Sequence, residues 1–221
     1  GLPNPDHYTT AKDLAILGRA LINNFPAYYP WYQQKWFTYN NIRQPNRNRL
    51  LWRNSQIDGI KTGHTNEAGY CLVSSAKSGE TRLLAVVLGA PSDAIRADDS
   101  ERLINYGFRF FETHALYRAA QPLYKLPIYK GRVSQVIIGP KEAIYITLPS
   151  GQFSQMTLST QLHTPLKAPL DTNTSVGDLV ISLHDKPMAR YPLYALQPVE
   201  LGGLLGRLTD WVRLTLKKWL G

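Results

Sequence analysis

The chain has 221 residues, 43% hydrophobic and 19% charged, the ordinary balance of a soluble globular protein with room for two modest domains. No apolar run approaches the roughly eighteen residues of a spanning helix, and a single cysteine, Cys71, excludes an internal disulfide and a thiolate metal cluster. The net charge of +9 favours anionic surroundings, yet the cations are spread along the chain without an RNA-recognition or finger signature, so nucleic acid is not expected as a partner.

Thr9 and Thr10 open a segment with Leu14, Ile16, Leu17, Ala20 and Leu21 at helical spacing, which predicts a helix ending near Asn24. Residues 26–32 read as a short helix or turn and Lys35 to Tyr39 as a short strand. Asn40 to Asn48, rich in Asn, Pro and Arg, reads as an irregular loop. Three extended runs follow: Gly59 to Thr65, Tyr70 to Ser75 and Thr81 to Gly89. The last two flank a polar stretch and should pair as an antiparallel hairpin. Cys71 lies in the second of them and reads as a small buried hydrophobe. Asp98 to Thr113 carries Leu103, Ile104, Tyr106, Phe108, Phe110 and Phe111 and predicts an aromatic-rich helix packed on that sheet.

From Leu123 to Leu196 short alternating segments are broken by proline and glycine, the pattern of a small all-β sandwich. Its predicted strands include Val133 to Ile138, Ala143 to Leu148, Met156 to Leu162, Leu179 to Leu183 and Ala189 to Leu196. On a helical wheel Leu201, Leu204, Leu205, Leu208, Trp211, Val212, Leu216 and Trp219 share one face, while Arg207, Arg213, Lys217 and Lys218 gather on the other. Terminal position, a cationic face and two tryptophans fit an interfacial anchor with Trp211, Trp219, Lys217 and Lys218 at the membrane surface. The expected division is 1–115, 116–198 and 199–221.

Lys61-Thr62-Gly63 is the candidate for chemistry. Side chains two apart on a strand share a face, so Lys61 and Gly63 point the same way and set a cation beside clear backbone. That pairing suits a peptide laid along the strand edge with its terminal carboxylate near the charge, and Thr62 adds a hydroxyl. Lys-Thr-Gly, with Ser-x-x-Lys and Ser-Asn-type elements, belongs to the signature set of β-lactamases and penicillin-binding proteins. The runs Asp58-Gly59-Ile60-Lys61-Thr62-Gly63-His64-Thr65, Gly69-Tyr70, Gly107-Phe108-Arg109-Phe110-Phe111-Glu112 and Asn46-Arg47-Asn48-Arg49-Leu50-Leu51-Trp52 resemble those of the low-molecular-mass, serine-type D-alanyl-D-alanine carboxypeptidases. With the β-rich region and the amphipathic tail, the resemblance covers essentially the whole chain.

The resemblance implies an α+β fold: part of a β-lactamase-like transpeptidase domain, with antiparallel sheet and packed helices, then the β sandwich and the amphipathic helix. It implies removal of the terminal D-alanine from peptidoglycan pentapeptide through an acyl-serine intermediate, trapping by β-lactams, and a peripheral place on the periplasmic face of the bacterial inner membrane. Lys61 would polarise the site, Thr62 contact the terminal carboxylate, Gly63 leave room beside the nucleophile and His64 extend the motif. Arg96 would supply a second cation and Arg47 the rim, with a structural ion pair as the competing role of each arginine, and local hydrogen bonding as that of His64.

Neither the nucleophile nor its base is found. Ser74 and Lys77 form a Ser-x-x-Lys, but in an extended run that spacing turns them to opposite faces, and the pair follows Lys61-Thr62-Gly63 where the family's serine precedes it. No Ser-x-Asn occurs, and Tyr39-Asn40-Asn41 imitates the related Tyr-x-Asn motif only by chance, lying where the family has none. The expectation is a fragment whose catalytic groups lie upstream of Gly1. His7, His64, His114, His163 and His184 show no metal-ligand spacing, so neither metal nor cofactor is expected. The rival reading is a non-catalytic membrane-surface binding module with a residual active-site strand. A free β-lactamase is disfavoured, having no use for the β region and anchor.

Overall fold

The computed structural model describes residue 4 and residues 6–220, with side chains through residue 216. The chain divides into two compact units, Gly1–Glu112 and Thr113–Gly221.

In the first unit α1 (Ala11–Asn24) starts at an extended Thr10 whose hydroxyl accepts the Asp13 N–H at 3.1 Å and donates to the Asp13 carboxylate at 2.8 Å. A short 3-10 turn (Tyr29–Gln33) leads to β1 (Trp36–Tyr39). The predicted irregular loop is corrected here, because β2 (Ile42–Pro45) returns antiparallel to β1. Asn40 and Asn41, with φ of 47° and 57°, make the tight left-handed turn that joins them, and asparagine tolerates that conformation. β1 lies within the strand expected at Lys35 to Tyr39, whereas the residues of β2 are all exposed and no alternating apolar face marked it. A single helical turn, α2 (Leu50–Arg53), buries Leu50 and Leu51.

Three long strands then form one antiparallel sheet in the order β3 (Ile57–Thr65), β4 (Gly69–Ser78), β5 (Thr81–Ala90), which leaves β3 at an edge. α1 lies on one face, where a Cβ at its buried Gly18 would come within 3.4 Å of Ile60, Val73 and Leu84. The other face carries α3 (Asp93–Phe110), capped by Ser92. It begins five residues before its predicted start. The predicted aromatic packing is corrected in part: α3 meets the sheet through Ala97, Ser100, Ile104 and Gly107, with Phe108 packed against the same core, while Leu103, Tyr106 and Phe110 face outward. Close approach is the reason, since a Cβ at position 107 would come within 2.5 Å of Leu83.

Phe111 leaves the helix to begin β6 (Phe111–Tyr117), which pairs with β9 (Ile144–Pro149). The second unit is built on a six-stranded sheet, β10 (Met156–Leu162), β12 (Ser175–Leu183), β13 (Lys186–Ala195), β8 (Gln135–Gly139), β7 (Tyr124–Tyr129) and β11 (Leu166–Lys167), antiparallel except where β11 joins β7. Ile144, Ile146 and Leu148 alternate inward from β9 and share a core with Ile138, Ile181 and Leu193 of the large sheet. Leu201 is not helical as predicted. It pairs with Gly131, and Gly202 and Gly203 delay the last helix, α4, to Leu204–Leu220.

Candidate functional site

The edge strand β3 is held from beneath by a polar network. Tyr29, 7% exposed, donates to Asp58 at 2.9 Å. Arg82 pairs with the same carboxylate at 2.8 Å, donates to Ser75 at 2.7 Å and lies 5.3 Å over the Tyr29 ring. Burial, then the neighbouring Asp58 charge, pushes the Tyr29 phenol above its ordinary value, so it stays a donor. Gly59 is required next to it, since a Cβ there would lie 2.9 Å from the Tyr29 hydroxyl. Asn48, 1% exposed, donates to the Gly59 carbonyl at 3.1 Å and accepts the Leu50 N–H at 3.2 Å, which ties α2 to the strand. These contacts set the residue before Ile60 and Lys61 from three sides.

Beyond that root β3 runs in register with β4, Lys61 opposite Val73, Thr62 opposite Leu72, Gly63 opposite Cys71 and His64 opposite Tyr70. Its other edge has no strand partner among the described residues. Lys61 is exposed, with Nζ 2.5 Å from the Thr62 carbonyl. A cavity of about 650 Å³ opens on the opposite face and is lined by Thr62, Gly63 and His64 from β3, Tyr70 from β4, and Arg47, Arg49, Asp93 and Arg96. Trp36 and Trp52, edge to face at 6.1 Å, close its far side. A Cβ at Gly63 would meet only Cys71, at 3.9 Å, so the strand is clear there. Cys71 is half-buried and not the buried hydrophobe expected, because the facing glycine offers no side chain to cover it.

Arg96 is 4% exposed. Its guanidinium pairs with Asp93, which also takes Arg49 at 2.5 Å, donates to the carbonyls of Cys71 and Arg47 at 3.5 and 3.4 Å, and lies 5.7 Å over Tyr70. Its Nε is buried without an acceptor among the described residues. The His64 and Tyr70 rings are 4.0 Å apart. Three arginines and one carboxylate therefore surround the cavity, a field suited to an anion. Arg47 and Arg96 meet Thr62, Gly63 and His64 around one space, while Lys61 stands on the other side of the strand. Tyr70, Asp93, Trp36, Trp52 and Asn48 were not singled out as site residues from the sequence. Three of them, Tyr70, Asn48 and Trp52, sit in the family-like runs, and Trp36 and Asp93 join them only through long-range folding. Ser74 is fully buried and donates to the Ala85 carbonyl at 3.3 Å.

In the second unit Asp210 of α4 accepts the Lys130 N–H at 2.5 Å, and Gly206, Thr209 and Arg213 line a cleft facing residues 127–134. Leu204, Leu205, Leu208, Trp211 and Val212 are exposed along the helix. Among the described residues no helix is long and apolar enough to cross a membrane. The side chains of Lys217, Lys218 and Trp219 lie outside the described residues.

An edge strand bearing Lys-Thr-Gly beside a cationic cavity, in a sheet with helices on both faces, marks the acyl-transfer class of penicillin-recognising proteins. Residues 1–92 match the D-alanyl-D-alanine carboxypeptidase family model, and residues 111–201 match that of the penicillin-binding protein 5 C-terminal domain. All of the chain aligns with D-alanyl-D-alanine carboxypeptidase DacC of Escherichia coli K12 at 44% identity, covering 56% of that protein, and with DacA of the same organism at 39%, covering 55%. The crystal structure of penicillin binding protein 5 from Haemophilus influenzae superposes with a TM-score of 0.80 at 37% identity, over 90% of this chain and 59% of that one. The chain thus belongs to the low-molecular-mass penicillin-binding, serine-type D-alanyl-D-alanine carboxypeptidase family, as a C-terminal portion without catalytic Ser-x-x-Lys and Ser-x-Asn motifs. It spans about half the length of the curated relatives it matches.

Proposed function

We propose that this chain is the substrate-strand and C-terminal part of a carboxypeptidase that removes the terminal D-alanine from peptidoglycan pentapeptide. The observation that carries the reading is the open edge of β3 with Thr62, Gly63, His64, Arg47 and Arg96 around one cationic cavity. A peptide added along that edge has main-chain partners waiting, and its terminal carboxylate meets the Thr62 hydroxyl and the arginine field. Arg96, committed to Asp93 and two carbonyls, acts mainly by fixing the rim and its charge, and Arg47 borders the entrance. Lys61, on the other side of the strand, faces the place where a serine nucleophile and base from sequence upstream of Gly1 would stand. The half-open side of α1, where Ile16 and Leu17 are exposed, is a second surface such a segment would cover.

The same reading makes α4 a peripheral anchor on the periplasmic face of the inner membrane. Its exposed leucines and Trp211 point away from the Asp210 side, so the helix lies on a bilayer. β-Lactams would be taken by the longer protein.

Fluorescent penicillin tests the assignment. The isolated chain takes no covalent label, whereas the longer protein that carries it is labelled on an upstream serine. A stable label on Ser74 of the isolated chain would overturn the reading, and an unlabelled longer protein without Ser-x-x-Lys would leave a membrane-surface binding module.

A further inference from the structure

The two faces of the β1–β2 hairpin look into different spaces. Trp36 lines the cation-rich cavity, and its neighbour Phe37, turned to the opposite face, lines a second one of about 580 Å³. Trp31, Gln34, Gln44, Pro45 and Asn46 complete the second wall, and Pro45 and Asn46 border both cavities. The chemistry of the second differs entirely from that of the first, because none of its lining residues is charged.

Trp31 is 63% exposed and Phe37 61%, so two large rings stand in solvent beside amide side chains. The wall is firmly built. The Trp31 ring meets Tyr28 edge-on at 5.2 Å, and its carbonyl accepts the Gln34 N–H at 3.3 Å. The Asn46 amide donates to the carbonyls of Tyr32 and Gln34 at 3.4 and 3.0 Å. Gln34 and Gln44 each present a paired donor and acceptor.

Open aromatic faces select a ligand with a flat apolar surface, and neutral amides select neighbouring hydroxyl or acetamido groups. A pyranose ring has both, since its C–H face stacks on an aromatic ring while its rim hydrogen-bonds. An anion finds no cation here, and an aliphatic chain leaves the amides unused. We propose that this cavity binds an N-acetylhexosamine of the glycan to which a stem peptide is attached, while the peptide's terminus lies in the adjoining cationic cavity. The inference deepens the carboxypeptidase reading and rests on it for the identity of the attached peptide. An extended five-residue stem reaches about 17 Å, enough to join neighbouring cavities that share two residues.

The test is an NMR titration of the chain with three probes: a disaccharide–pentapeptide, the bare pentapeptide, and the N-acetylglucosaminyl-N-acetylmuramic acid disaccharide alone. The disaccharide–pentapeptide is expected to bind about fivefold tighter than the bare peptide, the scale of one aromatic contact. The disaccharide alone should shift the Trp31 indole signal. Trp31→Ala and Phe37→Ala should each abolish the advantage while leaving bare-peptide binding and thermal melting unchanged, because both side chains are largely in solvent. Equal affinity for the two peptides, or an advantage that survives both substitutions, overturns the sugar site. A bare peptide that does not bind, with the disaccharide still shifting Trp31, would sink the peptide-strand reading and leave the sugar site standing.

Discussion

In residues 1–112 the interior holds Asn48, Ser74, Ser75, Arg96 and Ser100 beside a core cluster of eight apolar residues. In residues 113–221 fifteen buried apolar residues pack together, and among the described residues no polar side chain reaches the same burial. Hydrophobic burial alone can hold the second unit, as in any β sandwich. In the first unit part of the interior is given over to polar groups that are useful only if they are geometrically satisfied. Most of those polar groups converge on β3: Asn48 on the Gly59 carbonyl, Ser75 with Arg82 and Asp58 below it, Arg96 beside Tyr70. The contrast separates a unit built to aim a strand from a unit built as a scaffold.

The difference can be broken most forcefully from the scaffold side. Leu193→Ala removes a fully buried side chain from the second core and is expected to cost about 2–5 kcal/mol. Hydrogen exchange should show the loss in residues 113–221, with peptide binding to β3 unchanged. Arg96→Ala is expected to cost about 2–3 kcal/mol in the first unit, since the carbonyls of Cys71 and Arg47 lose their buried donor while Asp93 keeps Arg49, and to weaken binding of a carboxylate-ended peptide at the same time. Asn48→Ala should cost about 1–3 kcal/mol by leaving the Gly59 carbonyl and Leu50 N–H unsatisfied. Its signature is faster exchange along β3 with little change in β5.

Tyr29→Phe is the mildest case and sharpens the comparison through pH. The folded phenol is raised above its ordinary value near 10, so the unfolded chain ionises first as pH rises. This contribution is fully present below pH 10 and is lost as pH climbs toward the folded value. Urea unfolding between pH 8 and 11 should therefore show a shallower alkaline loss in the variant. An identical slope would place Tyr29 outside the network.

Periodicity made α1, the β4–β5 hairpin and β10 legible from sequence, because in each the apolar pattern matches the element's own repeat. It failed at β2, where every residue is exposed and the turn leading into it rests on two asparagines in place of the usual glycine. It also misplaced the packing face of α3, since Ala97, Ser100 and Gly107 bury backbone-close surface that a hydrophobicity scan ignores. The candidate site shows a similar division. Lys61-Thr62-Gly63, Arg47 and Arg96 were visible as a motif and as a resemblance. Asp93 and Trp36 were not, because their meeting depends on the separate paths of α3 and β1 and on no local pattern.

The most direct measurement is an NMR titration of the chain with acyl-D-alanyl-D-alanine and with its C-terminal amide. The free acid should shift the amide signals of Thr62, Gly63 and His64 and the Arg96 guanidinium, and the C-terminal amide should shift them far less. Equal response to acid and amide, or shifts confined to residues away from β3, would contradict the account of this strand as the carboxylate-binding edge.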